Sequence, residues 1–239
     1  MNYGIYLKVA GDYALFSRPE MKAERVSYDV ITPSAARGIL DAILWKPQFR
    51  WLIDEIRVLN PIRFTNIRRN EIAPRIPVKG ATGVNATMKD PSIRPSLDVS
   101  TDRQQRASLL LKDVAYLIKA HIHLLDYRVE MGGEPVSEAE AVGKHLDMFK
   151  RRARKGQVFH QPYFGCREFP VRFELIEKEE DIPQPDATFA GPNDLGYMLH
   201  DIEFDQDRKT NRVKSATPHF FRAMMNDGII KVPPLPFAL

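Results

Sequence analysis

The chain alternates strand-like and helix-like segments in an order that repeats on either side of a long insert. Residues 2–11 alternate apolar and polar side chains, as a half-buried strand does, and residues 51–61 form a second such run. Between them, residues 31–47 predict a helix, because Thr32 can cap its amino end and Pro33 suits the first helical position. The chain therefore begins with a strand, a helix and a strand.

The segment DVAYLIKAHIHLLDYR, residues 113–128, predicts a third strand. As a strand it would bury one alternating set of apolar side chains and place Lys119, His121 and His123 in a row on the opposite face. A helix is the alternative, since periodicity alone does not decide the matter for a short apolar run. The unbroken alternation and the content of Val, Ile and Tyr favour the strand.

A second helix and a fourth strand complete the repeat. Residues 135–156 predict the helix, with Ser137 as its cap and the basic run 150–155 in its last turns, where the helix dipole favours cations. Residues 170–178 predict the strand. Two strand–helix–strand halves indicate an α+β fold of the ferredoxin-like type.

The insert between the two halves, residues 62–108, is basic and rich in proline, with only short strand-like pieces. An insert of this length without regular structure is normally functional or disordered. We expect either a mobile insertion or an arm that becomes ordered on nucleic acid.

A smaller module is expected at the carboxyl end of the chain. Residues 181–239 predict strands joined by hairpin connections at 206–211 and 226–228. The predicted organisation is a ferredoxin-like domain over residues 1–180 and a small antiparallel β-sheet module over residues 181–239.

Charge is unevenly distributed, although the formal net charge is only +4. Residues 61–106 contain nine Lys and Arg against four acids, and residues 150–155 contain five more basic residues. Residues 177–207, in contrast, hold ten acids and one lysine. A protein with charge separated in this way usually binds a polyanion through its basic part. Either cluster alone could instead be a charged surface that contacts only solvent.

Several classes of protein and site are not supported. The sequence has no phosphate-binding GxxxxGK[ST] loop and no GxGxxG motif after a strand, so we expect no nucleotide cofactor. The lone Cys166 cannot form an internal disulfide, and a metal site at His121 and His123 would need Cys166, His145 or His160 nearby, so none is expected. Without an apolar run of roughly 18 residues or a signal peptide, we expect a cytoplasmic protein with no membrane partner.

Lys119 and His121 are the candidates for chemistry on the polar sheet face. A histidine can accept the proton of an RNA 2′-hydroxyl or deliver one to a leaving 5′-oxygen, and a lysine can stabilise the charge on the phosphate. Together they could cleave RNA without a metal. The alternative is that both are polar residues on a solvated face.

Four stretches resemble one protein family: residues 11–47, DEIRVLNPI at 54–62, DVAYLIKAH at 113–121 and FGCREFPV at 164–171. They are similar to the CRISPR-associated fifth protein family in its subtype I-C (Dvulg) form, a branch of the RAMP superfamily. The resemblance implies a modified RNA-recognition-motif domain followed by a small β-sheet module. It also implies a metal-independent endoribonuclease that cuts CRISPR precursor RNA at the base of the repeat hairpin and stays on the 5′ handle as a subunit of a type I-C interference complex (Cascade).

The family chemistry is attributed to a tyrosine, a lysine and a histidine. The resemblance assigns the last two to Lys119 and His121, whereas the place of the tyrosine, just before Trp-Lys-Pro, holds Leu44. Tyr28 is the candidate to replace it, since Tyr116 should point to the apolar face of its strand. If neither does, cleavage is expected to be slower, to depend on His121 alone, or to be absent.

The expected ligands are CRISPR repeat RNA and the mature crRNA, with other subunits of the complex as protein partners. Three hypotheses remain: an endoribonuclease, a noncatalytic subunit that binds the crRNA handle, and a general binder of double-stranded DNA. The predicted RNA contacts are Arg37, Arg68, Arg69, Lys150, Arg151, Arg152, Arg154 and His123.

Overall fold

The structure is a computed structural model. It describes residues 4–21, 24–72, 76–81, 83–94, 99–125, 137–206 and 212–237. Its strands are β1 (Gly4–Ala14), β2 (Arg25–Val26), β3 (Phe49–Val58), β4 (Phe64–Ile72), β5 (Arg103–Leu124), β6 (Arg172–Ile176), β7 (Pro192–Gln206), β8 (Val213–Asn226) and β9 (Ile229–Lys231). Its helices are α1 (Pro33–Ile43), α2 (Val84–Thr87), α3 (Val99–Asp102) and α4 (Glu138–Arg154), with a 3₁₀ turn at Glu179–Asp181. In the described part of the chain, no helix combines the length and apolar character needed to cross a membrane.

A single sheet organises these strands in the order β6-β1-β5-β3-β9-β8-β7, with each neighbouring pair antiparallel. Strands β2 and β4 pair with β5 outside this path. The sequence predictions for β1, α1, β3, β5, α4 and β6 are confirmed in type and order.

The two long helices begin as the sequence predicts. In α1 the side chain of Thr32 accepts a hydrogen bond from the amide of Ala35, and in α4 Ser137 and Glu140 form a reciprocal capping box. Both helices bury an apolar stripe against the sheet. At their contact with the sheet, the rings of Trp51 on β3 and Phe149 on α4 lie 4.8 Å apart between centroids.

The ends of the predicted insert form a β-arm, in which β4 pairs with the first half of β5 from Phe64↔Leu111 to Ile72↔Arg103. The strand-like piece expected at residues 62–70 is confirmed as β4, whereas the strand over residues 103–108 was not predicted. The hydrophobic pattern that could have indicated this strand pair is weak, because β4 has no buried residue and alternates only between exposed and half-buried positions. The partner strand lies about thirty residues further along the chain, so no short hairpin turn marks the pair.

Strands β7, β8 and β9 confirm that the carboxyl-terminal part is rich in β-structure. The connection from β8 to β9 is a tight turn with positive φ at Asp227 (51°) and Gly228 (76°), as the NDG sequence indicated. The other predicted hairpin connection falls largely on residues 207–211, outside the described residues. Since β9 also pairs with β3 through Ile56↔Ile230, this part continues the main sheet, and the division near residue 180 stays a prediction.

Candidate active site

The row of ionisable side chains predicted on β5 is present. Ile118, Ala120 and Ile122 are buried, while Lys119 and His121 are half-buried and His123 is exposed. The alternation follows from the strand period of two, so the strand interpretation of this segment is confirmed.

Neighbouring strands fix the surroundings of Lys119. In the sheet register it lies between Tyr6 on β1 and Glu55 on β3. Its Nζ lies 5.5 Å from the centroid of the Tyr6 ring, within range of a cation–π interaction. The ammonium group is therefore held over an aromatic ring beside the histidine row.

His121 forms a hydrogen-bonded pair with Asp54. Its Nδ1 lies 2.8 Å from Oδ1 of Asp54, and the two side chains are 40% and 35% exposed. The β3–β5 register shifts between Ile53 and Glu55, so Asp54 occupies a β-bulge, an irregularity that re-aims a side chain. Because Nδ1–H donates to the carboxylate, Nε2 of the neutral ring is left as an acceptor for a substrate.

The Asp54 carboxylate also affects the charge of the imidazole. Its hydrogen bond to His121 raises the pKa of that histidine above the ordinary value of 6.5, against the smaller opposing effect of burial. The ring therefore takes up a proton more readily than a free histidine would.

A cavity of about 470 Å³ opens beside this pair, within the size range of small-ligand sites. The carboxyl-terminal segment 232–237 forms one wall, held by a 2.9 Å hydrogen bond from Nε2 of His200 to the Pro233 carbonyl. The other lining residues are Pro33, Arg37, Trp51, Leu52, Ile53, Asp54, His121, His123, His200 and Asp201.

Arg37 lies in the cavity wall, but its guanidinium is already paired. Its Nε and Nη2 donate to Asp201 at 2.9 and 2.8 Å, and its Nη1 donates to Asp41 at 2.8 Å. Arg50 adds a 2.8 Å bond to the same Asp201, whose side chain is only 5% exposed. Burial of Asp201 opposes its ionisation, yet the two arginines outweigh that effect and lower its pKa. The RNA contact expected at Arg37 stays a prediction, and it would require the guanidinium to exchange one of these carboxylates for a phosphate.

The structure does not bring Tyr28 to His121. Tyr28 is 2% exposed and lines a different cavity, with Arg18 4.7 Å above its ring, and its burial raises the pKa of the phenol. Leu44, at the family tyrosine position, is fully buried, and its carbonyl accepts a 3.1 Å hydrogen bond from Nε1 of Trp51. Neither position offers a phenol to the His121 cavity.

The other predicted RNA contacts differ in how available they are. Arg68 on the β-arm and Arg151 on α4 are exposed. Arg69 and Lys150 are half-buried, and Arg69 forms an ion pair with Glu168. Arg68 and Arg151 can therefore bind a phosphate directly, whereas Arg69 would first have to give up its ion pair with Glu168.

Two further arginines of α4 have contacts within the protein. Arg152 donates to the carbonyl of Ile43 at 3.0 Å, which satisfies an open acceptor at the end of α1. Arg154 makes a bidentate, exposed pair with Glu177 at 2.9 and 2.6 Å. The basic run thus serves partly to join α1, α4 and the end of β6.

Sequence reasoning missed Asp54 and Asp201. Asp54 had a usable signal, because alternation along β3 places it on the same face as Leu52, which pairs with His121. Asp201 had no such signal, since it meets Arg37 from 164 residues away.

Within the described residues, no three His, Cys, Asp or Glu side chains converge in a way that could hold a metal ion.

Comparison with known proteins agrees with this architecture. The family model described as CRISPR-associated protein (Cas_Cas5) matches residues 4–233. A Mannheimia succiniciproducens protein named CRISPR pre-crRNA endoribonuclease Cas5d is 50% identical, over 96% of this chain and 95% of its own length. A Thermus thermophilus protein of the same name is 39% identical, over 95% and 90% of the two lengths. A solved CRISPR-associated protein, 25% identical, has a TM-score of 0.62 with coverage of 97% and 92%, and shares the mixed α and β fold built on an antiparallel sheet. The chain belongs to the Cas5d family of CRISPR-associated proteins.

Proposed function

We propose that this protein is a metal-independent endoribonuclease that cleaves CRISPR precursor RNA at the base of the repeat hairpin. It then stays on the crRNA 5′ handle as a subunit of a type I-C interference complex in the cytoplasm. The observation that carries the proposal is the His121–Asp54 pair, which lies in a cavity close to Lys119. Near full-length similarity to two proteins named as pre-crRNA endoribonucleases supports it.

The fold proposed for this activity is a ferredoxin-like domain with a smaller module behind it. The order β6-β1-β5-β3, with α1 between β1 and β3 and α4 between β5 and β6, supports the first part. In such domains RNA commonly lies on the sheet face that the helices leave open. Residues 181–239 would form the module, through β7, β8 and β9.

The proposed reaction is attack of a ribose 2′-hydroxyl on the neighbouring phosphorus. The O2′–P bond forms as the P–O5′ bond breaks, which leaves a 2′,3′-cyclic phosphate and a 5′-hydroxyl. As general base, neutral His121 takes the 2′-hydroxyl proton at Nε2; as general acid, its imidazolium protonates the departing O5′. A second proton carrier, such as water, serves the other end of the reaction in either case.

Asp54 and Lys119 support the histidine in this scheme. Asp54 fixes the tautomer that presents Nε2 and stabilises the imidazolium, which is the effect that raises the pKa of His121. Lys119 stabilises the negative charge that grows on the non-bridging oxygens of the phosphate. A carboxylate-supported imidazole and an ammonium group can provide proton transfer and charge stabilisation without a phenol at Leu44.

RNA affinity is proposed to come mainly from phosphate contacts away from the reacting bond. Arg68 on the β-arm and Arg151 on α4 are exposed cations, and His123 lies exposed at the cavity beside His121. Contacts of this type lose affinity as salt rises, because binding releases counterions from the RNA.

A single-atom change in the RNA tests this proposal. In EDTA, the repeat hairpin should be cut once, and a 2′-deoxy sugar at the cut nucleotide should abolish cutting without weakening binding. The same deoxy sugar placed one nucleotide away is the matched control and should be cut normally. Tight binding of an all-ribose hairpin that stays intact would show a noncatalytic subunit, and equal affinity for duplex DNA would show a general nucleic-acid binder.

A further inference from the structure

Two large aromatic side chains stand exposed at the carboxyl end of α1, away from the candidate active site. Trp45 is 61% exposed and Phe159 is 81% exposed. Neither lines the His121 cavity. An exposed aromatic ring offers a flat apolar face on which a ligand can stack.

Backbone hydrogen bonds fix the segment that carries Phe159 against the end of α1, which Trp45 follows in the chain. The amide of Phe159 donates to the carbonyl of Ala42 at 2.8 Å, three residues before Trp45. Gln157 is tied to the end of α4 by a 2.9 Å bond from its amide to the carbonyl of Arg152. The segment that presents Phe159 is thus fixed to the ends of both helices, so a ligand would meet a surface that is already ordered.

The charges around the rings identify the chemistry of the partner. Lys46 follows Trp45 directly and is half-buried, while Arg151 and Lys155, at the end of α4, are exposed. Exposed aromatic rings among cations are typical of surfaces that bind single-stranded nucleic acid, where bases stack on rings and cations meet phosphates. Protein interfaces, in contrast, are depleted of lysine at their centres.

We propose that Trp45 and Phe159 form a stacking platform for single-stranded RNA that flanks the repeat hairpin. The platform binds unpaired bases by their flat faces and their phosphates through Lys46, Arg151 and Lys155. It is a second contact on the RNA, separate from the His121 cavity. The inference rests on the proposed function for the identity of the ligand, since it takes that ligand to be the CRISPR RNA.

Binding assays with uncut RNA test the platform. In a His121→Ala background and in EDTA, Trp45→Ala and Phe159→Ala should each weaken binding of a hairpin with single-stranded flanks by about tenfold, the usual size for loss of one base–aromatic stack. Binding of the hairpin without flanks should not change. Tyr197→Ala is the matched control, because Tyr197 is 71% exposed on β7 and should leave both affinities unchanged.

Tryptophan fluorescence gives a readout that does not depend on a substitution at the platform. The chain has two tryptophans, and the buried Trp51 lines the His121 cavity, which both RNAs should occupy, so the difference in quenching between flanked RNA and bare hairpin reports on Trp45. Strong quenching by flanked RNA and little quenching by the bare hairpin is the expected result.

Three outcomes decide the matter. Unchanged affinity in both variants together with unquenched fluorescence overturns the platform while leaving the endoribonuclease proposal intact, because hairpin binding is measured in the same assay. Failure of the parent protein to bind either RNA contradicts both proposals. Trp45→Phe, which keeps a ring, should retain most of the affinity, and a loss equal to that of Trp45→Ala would contradict stacking.

Discussion

His121 and Arg37 line the same cavity, but they differ in how much of their hydrogen-bonding capacity is already used within the protein. His121 is hydrogen-bonded through Nδ1 to Asp54, and its side chain is 40% exposed. Arg37 uses three nitrogens on the carboxylates of Asp201 and Asp41, and its side chain is 21% exposed. Since a side chain binds a ligand most readily with hydrogen-bonding capacity that the protein leaves unused, we expect His121 rather than Arg37 to act on the RNA.

The largest effect on stability is expected when Asp201, the carboxylate that holds Arg37, is removed. Asp201→Ala leaves the guanidinium groups of Arg37 and Arg50 without their shared buried carboxylate, which should cost about 3 kcal/mol in the free energy of unfolding. Urea denaturation measures this loss. Asp194→Ala is the control, because it removes an exposed partner of Arg222 and should hardly move the midpoint. Equal midpoints for the two variants would contradict a structural role for the Arg37 network.

A smaller effect is expected at Asp54, as a change in rate and in its pH dependence. Since the Asp54 carboxylate raises the pKa of His121, the midpoint of the rate profile should lie above 6.5 in the parent protein. Asp54→Asn should lower that midpoint toward 6.5 and slow cleavage by about tenfold. If His121 is the base, the rate rises with pH through the midpoint, and if it is the acid, the rate falls. In both cases the midpoint of Asp54→Asn should lie at a lower pH than that of the parent protein.

Single-turnover rates across the pH range measure the effect of Asp54→Asn. The matched control is Glu203→Gln, which removes a comparable carboxylate–imidazole contact, 2.9 Å from His219. Glu203→Gln should leave the midpoint unchanged. A midpoint that does not move in Asp54→Asn would show that the carboxylate only positions β3 and β5.

The smallest expected effect is on the salt dependence of RNA binding, which distinguishes an exposed cation from one that is already paired within the protein. Arg68 is exposed on the β-arm, so Arg68→Ala should reduce the slope of log affinity against log salt by about one. Arg37→Gln removes a positive charge too, but should leave that slope unchanged, since the guanidinium is already bound by the carboxylates of Asp201 and Asp41. Filter binding at several salt concentrations distinguishes the two variants, and a reduced slope for Arg37→Gln would show that its ion pairs open on RNA.

Local signals in the sequence were enough for the central strands and the two long helices. Thr32 and Ser137 cap helices as their positions predicted, and the alternation along β5 placed Lys119 and His121 on one face. These features depend on residues within a few positions of one another. Helix capping and strand alternation act at that range, so they can be read without knowledge of the fold.

Features built by distant residues could not be read in this way. The β-arm depends on pairing between Phe64 and Leu111, and the Arg37 network joins residues 164 positions apart. Alternation along β3 was enough to place Asp54 on the His121 face, whereas its direct pairing with His121 depends on a register shift against β5 that the hydrophobic pattern does not reveal. The sequence therefore indicated candidate residues for the chemistry, while the structure showed which of them have partners within the protein.

The most direct test of the central claim compares His121→Ala with its neighbour His123→Ala in cleavage of repeat RNA in EDTA. Both histidines lie at the same cavity, but in the described part of the chain it is His121 that is paired with a carboxylate. His121→Ala should bind the hairpin normally and cut it about 10²-fold more slowly or worse, while His123→Ala should keep most of the activity. Equal cutting by His121→Ala and the parent protein would contradict the assignment of His121 as the catalytic residue.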